Sequence, residues 1–224
     1  MIVDNVETMD NFLNENERLE ILKRIKTLQS KWKHLYPTDD IEKNFIGTLG
    51  EAVYMNVSFY LKDKSKIETN FTESRKMMIE NFSDLFEKTK SFLGKRFEIP
   101  VDHISISHLT APGFHIFRGP FASKKGRENA KHFHQDLDII DLEPNMYDSK
   151  FIISFNSLIN QTEIPAFLQL ENSKHFYEYG KLNLFDSHLN HKIGITDAKE
   201  GDTRITYQGF MAKIKNEEKY HIYF

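Results

Sequence analysis

His134-Gln135-Asp136 sets an imidazole and a carboxylate two residues apart, inside the run Lys131–Asp138. On an extended strand, side chains alternate between faces with a period of two, so these two point the same way. Together they supply two of the three ligands of a 2-His-1-carboxylate facial triad, which holds non-haem Fe(II) and leaves coordination positions open. The third ligand must be a histidine on a later strand. Leu184–His191 carries two candidates, His188 and His191. Beyond them, Arg204 and Thr206 share one face of the alternating stretch Gly201–Tyr207. A planar guanidinium grips a carboxylate through two parallel hydrogen bonds, and the Thr206 hydroxyl can add a donor, so the pair suits an anionic cosubstrate. The competing reading pairs Arg204 with an internal acid, Asp202 or Glu200. His132 shares the face of His134 and leaves a second ligand pair open, His132-x-His134.

These residues need elements to carry them, and the hydrophobic period changes along the chain. From Asn14 to about Leu35, apolar residues at Leu19, Ile21, Leu22, Ile25, Leu28, Trp32 and Leu35 predict a helix, closed by Pro37–Asp40. Gly47–Ala52 is expected to open a short helix through Tyr54, and Lys62–Lys66 to be a solvated loop. A second helix is predicted from about Thr72 to Leu93, capped by Asn70 or Thr72 and ended at Gly94. After Pro100 the period becomes two, with strands expected at His103–Leu109, Phe114–Phe117, Phe151–Phe155, Ala166–Leu170, Lys181–Phe185, Thr203–Lys213 and Tyr220–Phe224. Gly119–Asn129, with Lys124, Lys125 and Arg127, and Ile139–Tyr147 read as loops. His115 and Phe117 are candidates for lining a pocket, as are Gln135, Arg118 and Tyr207. The remaining histidines, His34, His103, His108, His175 and His221, read as structural. Many short strands separated by turns predict a jelly-roll sandwich or barrel. The whole is expected to be an α+β fold in one domain spanning 1–224. A helical support region, about 1–98, would brace a core of about 99–224.

Composition narrows the chemistry. The 224 residues can bury a full core, and 19 Phe with 9 Tyr exclude a disordered chain. A formal net charge of −3 argues against a nucleic-acid partner. No apolar run approaches membrane-spanning length and no signal peptide is evident, so a cytoplasmic protein without a membrane partner is expected. The absence of cysteine removes disulfides, thiolate ligands and a Cys nucleophile, and any metal must be held by nitrogen and oxygen.

The order His134-x-Asp136, then strand-like sequence, a histidine, and Arg204-x-Thr206 resembles the Fe(II)/2-oxoglutarate-dependent dioxygenases, whose core is a double-stranded β-helix. The resemblance covers about the C-terminal half, from near Pro100. Relatives place the ligand histidine after a phenylalanine and a short turn, about a dozen residues before the arginine. Phe185 and Arg204 bracket His191 in that way, which favours His191 over His188 as the third metal ligand. The resemblance implies Fe(II), 2-oxoglutarate and O2 as cofactors, with Arg204 and Thr206 on the far carboxylate of 2-oxoglutarate. It also implies hydroxylation of an unactivated C–H bond in place of halogenation, because Asp136 is kept. A small polar metabolite such as an amino acid is the expected substrate, a protein side chain the alternative. Other readings are a cupin-type metalloenzyme using His132 and His134 without 2-oxoglutarate, and a non-catalytic jelly-roll binding module. A cupin would want a Glu soon after the histidines, and the next is Glu143.

Overall fold

The structure is a computed structural model that describes residues 5–35, 40–52, 64–103, 110–120, 124, 134–138, 140, 145–161, 167–194 and 198–224. In chain order its strands are β1 (Glu7–Met9), β2 (Lys33–His34), β3 (Phe45–Leu49), β4 (Val101–His103), β5 (Gly113–Arg118) and β6 (Tyr147–Asn160). They continue with β7 (Phe167–Leu170), β8 (Lys174–Phe176), β9 (Leu182–Asp186), β10 (His191–Gly194), β11 (Thr203–Ile214) and β12 (Tyr220–Tyr223). Two helices, α1 (Glu15–Thr27) and α2 (Lys64–Phe97), precede most of them. The main sheet runs β1-β9-β6-β11-β5-β3-β2, with β12 joining β11 to β4; β10-β7-β8 form a second, smaller sheet.

The long strands β6 and β11 carry the architecture because each buries both faces. On β6, Ile153, Phe155 and Ile159 join the cluster that contains Ile21, Ile25 and Phe86 of the helices. The intervening Ser154, Asn156 and Leu158 turn to the opposite face, where Leu158 packs with Leu168, Leu170, Tyr177 and Phe185 of the smaller sheet and its neighbours. β11 alternates likewise, with Ile205 and Tyr207 toward the helices and Arg204, Thr206 and Gln208 away from them. Each fully buried aromatic or aliphatic side chain contributes roughly 1.5–3 kcal/mol, so a one-residue slip would exchange a core face for a polar one. This is the jelly-roll core: two sheets face each other across an interior, and the helices cover the outside of the larger one.

The N-terminal half differs from its sequence reading in three places. The first helix stops at Thr27, not near Leu35; Asn14 caps it through a reciprocal box with Glu17. Trp32 still packs back, donating from Nε1 to the Ile25 carbonyl at 3.2 Å, but Leu35 is 36% exposed and lies past β2. Gly47 sits within strand β3, not in a helix: the five β3 residues are buried between β5 and β2. A Cβ at Gly47 would stand 1.9 Å from the Lys33 carbonyl oxygen, so the glycine serves close backbone approach. Thr48 and Leu49 are strand as well and 50–52 are not helical, so the expected helix is absent there; only 53–54 of it lie outside the described residues. The second helix begins at Lys64, inside the expected Lys62–Lys66 loop, since no breaker separates these residues from Thr72. It also runs past Gly94 to Phe97, where Glu98 takes the left-handed position (φ 56°). Val101–His103 is strand, whereas 104–109 of the expected His103–Leu109 strand are outside the described residues.

Candidate metal and oxo-acid site

The site forms where the chain before β6 crosses the smaller sheet. His134 and His191 exchange both backbone hydrogen bonds, His134 N–H to the His191 carbonyl at 2.9 Å and the reverse at 3.0 Å. Directly paired residues of an antiparallel ladder project to one side, and the two imidazoles lie 4.4 Å apart between centroids. Two residues on, the Asp136 N–H donates to the Ser187 carbonyl at 3.0 Å, which keeps the segment extended and returns the carboxylate to the same side. The potential ligand atoms of His134, Asp136 and His191 all lie within 4.8 Å of one another. His191 Nε2 is 3.2 Å and His134 Nε2 3.8 Å from the Asp136 carboxylate. His134 is at the solvent mouth, with 55% of its side chain exposed, and His191 at the floor with 4%.

The surroundings aim these groups. His191 Nδ1 donates to the Leu189 carbonyl at 2.9 Å, which fixes the ring with Nε2 toward Asp136; without a metal Nε2 shares a proton with that carboxylate, and a bound cation would take the proton's place. The Ser154 hydroxyl donates to Asp136 Oδ2 at 2.8 Å and is itself 2.8 Å from the Ser187 hydroxyl. Burial works to raise the Asp136 carboxyl, but His191, His134 and Ser154 outweigh it and hold the carboxyl below its ordinary range. Outer partners of this kind tune metal affinity 10–100-fold. Ser154→Ala is therefore expected to weaken divalent metal binding by about that factor without loss of fold, as read by titration calorimetry.

His188 is placed elsewhere. Its backbone N–H and Nδ1 both bond Asp186 Oδ1, at 2.8 and 2.7 Å, in the turn that ends β9. Of the two candidate histidines, His191 is the one brought beside His134 and Asp136. His132, the alternative partner of His134, lies outside the described residues, as do Lys125 and Arg127; Lys124 is exposed.

A cavity of about 230 Å³ opens from this cluster, lined among others by His115, Phe117, Ser154, Asn156, Tyr177 and Gln208. Arg204 lies behind it, only 6% exposed, with its guanidinium 5.2 Å from the centroids of both Phe117 and Tyr177. Asp202 instead receives the Lys199 N–H and Glu200 pairs with Lys43, so neither acid is the partner of Arg204. Arg204 Nε and Nη1 and the Thr206 hydroxyl are buried without hydrogen-bond partners among the described residues. A buried guanidinium with unmet N–H groups is costly; an oxyanion delivered into the cavity would satisfy both residues at once. The donor set (two imidazole nitrogens and a carboxylate, no thiolate) fits Fe(II), and the unmet donors fit the far carboxylate of 2-oxoglutarate.

His115 lies directly opposite Thr206. Burial, with the Arg204 charge adding to it, pushes its imidazole down to about 3, so it stays neutral. An unfolded chain binds the proton below about 6.5 while the folded one does not, so stability is full above that pH and falls as pH drops. Between pH 7 and 5 this group should remove about 2 kcal/mol from the metal-free protein. His115→Gln should flatten the urea-unfolding stability curve over that range by a similar amount.

Of the weaker sequence candidates, His115 and Phe117 do line the cavity, whereas Arg118 and Tyr207 turn away. On β5 the odd positions face the cavity and Arg118 is even; on β11 the even positions do and Tyr207 is odd. Arg118 bonds Thr203 and lies over Trp32, and Tyr207 meets the Thr89 hydroxyl at 3.0 Å. Gln135 also leaves the site, donating to the His188 carbonyl at 2.7 Å. Sequence reading passed over Ser154 and Asn156. Polar residues at period two inside the apolar run Phe151–Ile159 were the available signal. Tyr177 carried none.

No protein-family model matches the chain, and no curated protein sequence does. Solved structures do. The crystal structure of an N-substituted L-amino acid dioxygenase in complex with alpha-KG, from Burkholderia ambifaria AMMD, aligns over 98% of this chain and 86% of that one. The two are 11% identical, with a TM-score of 0.59. A second crystal structure of an N-substituted L-amino acid dioxygenase from the same organism gives 12% identity, the same coverage and a TM-score of 0.55. At such identity the likeness is one of fold, and this chain has the double-stranded β-helix fold of those dioxygenases.

Proposed function

We propose that the protein is an Fe(II)- and 2-oxoglutarate-dependent dioxygenase that hydroxylates a small polar molecule. The observation that carries this reading is the pairing of a His134–Asp136–His191 cluster with a buried Arg204 behind the same cavity, whose Nε and Nη1 have no partner among the described residues. In this reading His134, Asp136 and His191 are the metal ligands. Arg204 and Thr206 hold the far carboxylate of 2-oxoglutarate, which fixes the oxo-acid end toward the metal. The iron, with 2-oxoglutarate and O2, supplies an oxidant strong enough to attack an unactivated C–H bond. The protein binds, orients and excludes solvent: Phe117, Tyr177 and Phe185 wall the cavity, and the neutral His115 lends no competing charge.

An amino acid or a derivative is the substrate class proposed here. Its support is the modest cavity and the N-substituted L-amino acid dioxygenase named for a protein of the same fold. Among the described residues, no helix is long and apolar enough to cross a membrane.

The test requires no substrate. Purified protein held anaerobically receives Fe(II) and then 2-oxoglutarate while visible absorption is followed. An iron-to-oxo-acid charge-transfer band, absent in Asp136→Ala, is expected. Iron-loaded protein that gives no band would replace this reading with a metalloenzyme that does not use 2-oxoglutarate.

A further inference from the structure

One wall of the cavity carries a buried amide, Asn156, whose orientation is set from the far end of the chain. Asn156 on β6 lines the cavity and is paired in register with Asn183 on β9 and Gln208 on β11. Asn183 Nδ2 donates to Asn156 Oδ1 at 3.0 Å. Asn183 Oδ1 in turn accepts from the Thr8 hydroxyl at 3.2 Å and lies 2.9 Å from His175 Nε2, which donates to it in the tautomer protonated at Nε2. Asn183 is 1% exposed and Asn156 6%, so with the His175 proton on Nε2 an Asn183 amide turned the other way would set donor against donor with no water to relieve it. Two outer donors thus hold the Asn183 oxygen, Asn183 Nδ2 holds the Asn156 oxygen, and Asn156 Nδ2 is left facing the cavity. No group among the described residues accepts from it.

We infer that Asn156 is a binding residue that donates to a carboxylate oxygen in the cavity, and that Thr8, His175 and Asn183 are positioning residues that act through it by fixing its amide. A charged acceptor is favoured by location. Ser154, two residues back on the same face, bonds Asp136. In the other direction Leu158 lies opposite Thr206, next on its face of β11 to Arg204, whose Nε and Nη1 have no partner among the described residues. The Asn156 N–H groups therefore sit between the metal cluster and a buried positive charge. The inference rests on the functional reading for one source of that carboxylate, 2-oxoglutarate; a carboxylate on the substrate is the other.

Asn183→Asp separates orientation from packing. The new carboxylate keeps the size of the amide and still accepts from His175 and Thr8, but it can no longer donate to Asn156. The Asn156 amide then turns over to donate to it and shows its oxygen to the cavity. Protein loaded with Zn(II), a diamagnetic stand-in, would be followed by the side-chain amide signals of Asn156, identified by their loss in Asn156→Asp. Addition of 2-oxoglutarate should shift these signals in the wild type, and its affinity should fall about tenfold or more in Asn183→Asp, the loss of one charge-assisted hydrogen bond. Should Asn183→Asp fail to fold, His175→Leu, at a half-exposed position, removes one of the two outer donors and should weaken binding about threefold. Equal 2-oxoglutarate affinity in wild type and variants, with acetate added to the saturated complex shifting the Asn156 signals in the wild type alone, assigns the carboxylate to the substrate. Equal affinity for both probes in wild type and variants overturns the inference and leaves the functional reading intact. A wild type that takes up no 2-oxoglutarate overturns the functional reading, and the inference then survives only if acetate alone shifts the Asn156 signals.

Discussion

Replacing Asp136 with alanine is expected to lower divalent metal affinity by at least ~100-fold, beyond the loss of a mere outer-shell partner. Asp136 is the single carboxylate of the cluster and sits within 3.2 Å of His191 Nε2 and 3.8 Å of His134 Nε2. Without it, two imidazoles remain to bind the cation and no negative charge offsets it. Asp136→Asn keeps the shape and can still accept from Ser154, so its melting temperature should stay within a few degrees of the wild type while metal binding is lost. His191→Ala should give the same loss. His188→Ala should leave metal binding unchanged, since His188 is tied to Asp186 in the turn. Calorimetric titration with Mn(II) or anaerobic Fe(II) reads all four variants. Tight stoichiometric binding retained in Asp136→Ala, or lost in His188→Ala, would remove the cluster from the metal site.

The second large effect falls on Arg204. Arg204→Ala should weaken 2-oxoglutarate binding by ~10²-fold or more, because two charge-assisted hydrogen bonds of 1.5–3 kcal/mol each disappear. Arg204→Lys should recover only part of this, since an ammonium lacks the planar fork. Stability should move the other way. Arg204 is buried with Nε and Nη1 unmet among the described residues. Arg204→Met, which keeps the contact with Phe117 and Tyr177, should therefore leave the melting temperature of the metal-free protein unchanged or raise it. An arginine held for structure would behave oppositely, with stability lost and 2-oxoglutarate affinity kept. The two measurements on one variant separate these roles.

Local pattern carried a good part of this protein. Period-two stretches at Phe114–Phe117, Phe151–Phe155 and Thr203–Lys213 are strands, because alternation is what a strand between two packed layers requires. The same alternation placed His134 with Asp136 and Arg204 with Thr206 before any contact was known. Where a segment's fate depended on distant partners, pattern failed. Gly47 looks like a helix start in isolation, and only the approach of the Lys33 carbonyl makes it a strand residue. β8 and β10 are too short to show a period, yet β10 carries His191.

The site divides in the same way. Residue types and spacing on single strands determined which side chains could bind a metal and which could grip a carboxylate. Tertiary structure alone decided that His191 and not His188 stands beside His134, because one cross-strand hydrogen-bonded pair joins positions distant in the chain while the Asp186 turn holds the other histidine away. It alone left Arg204 without an acid partner among the described residues, since strand alternation buries it behind Phe117 and Tyr177 while Asp202 and Glu200 are engaged elsewhere. And it alone brought Thr8, His175, Asn183 and Asn156 into one line of hydrogen bonds, a line of ordinary polar residues that no spacing in the sequence marks out.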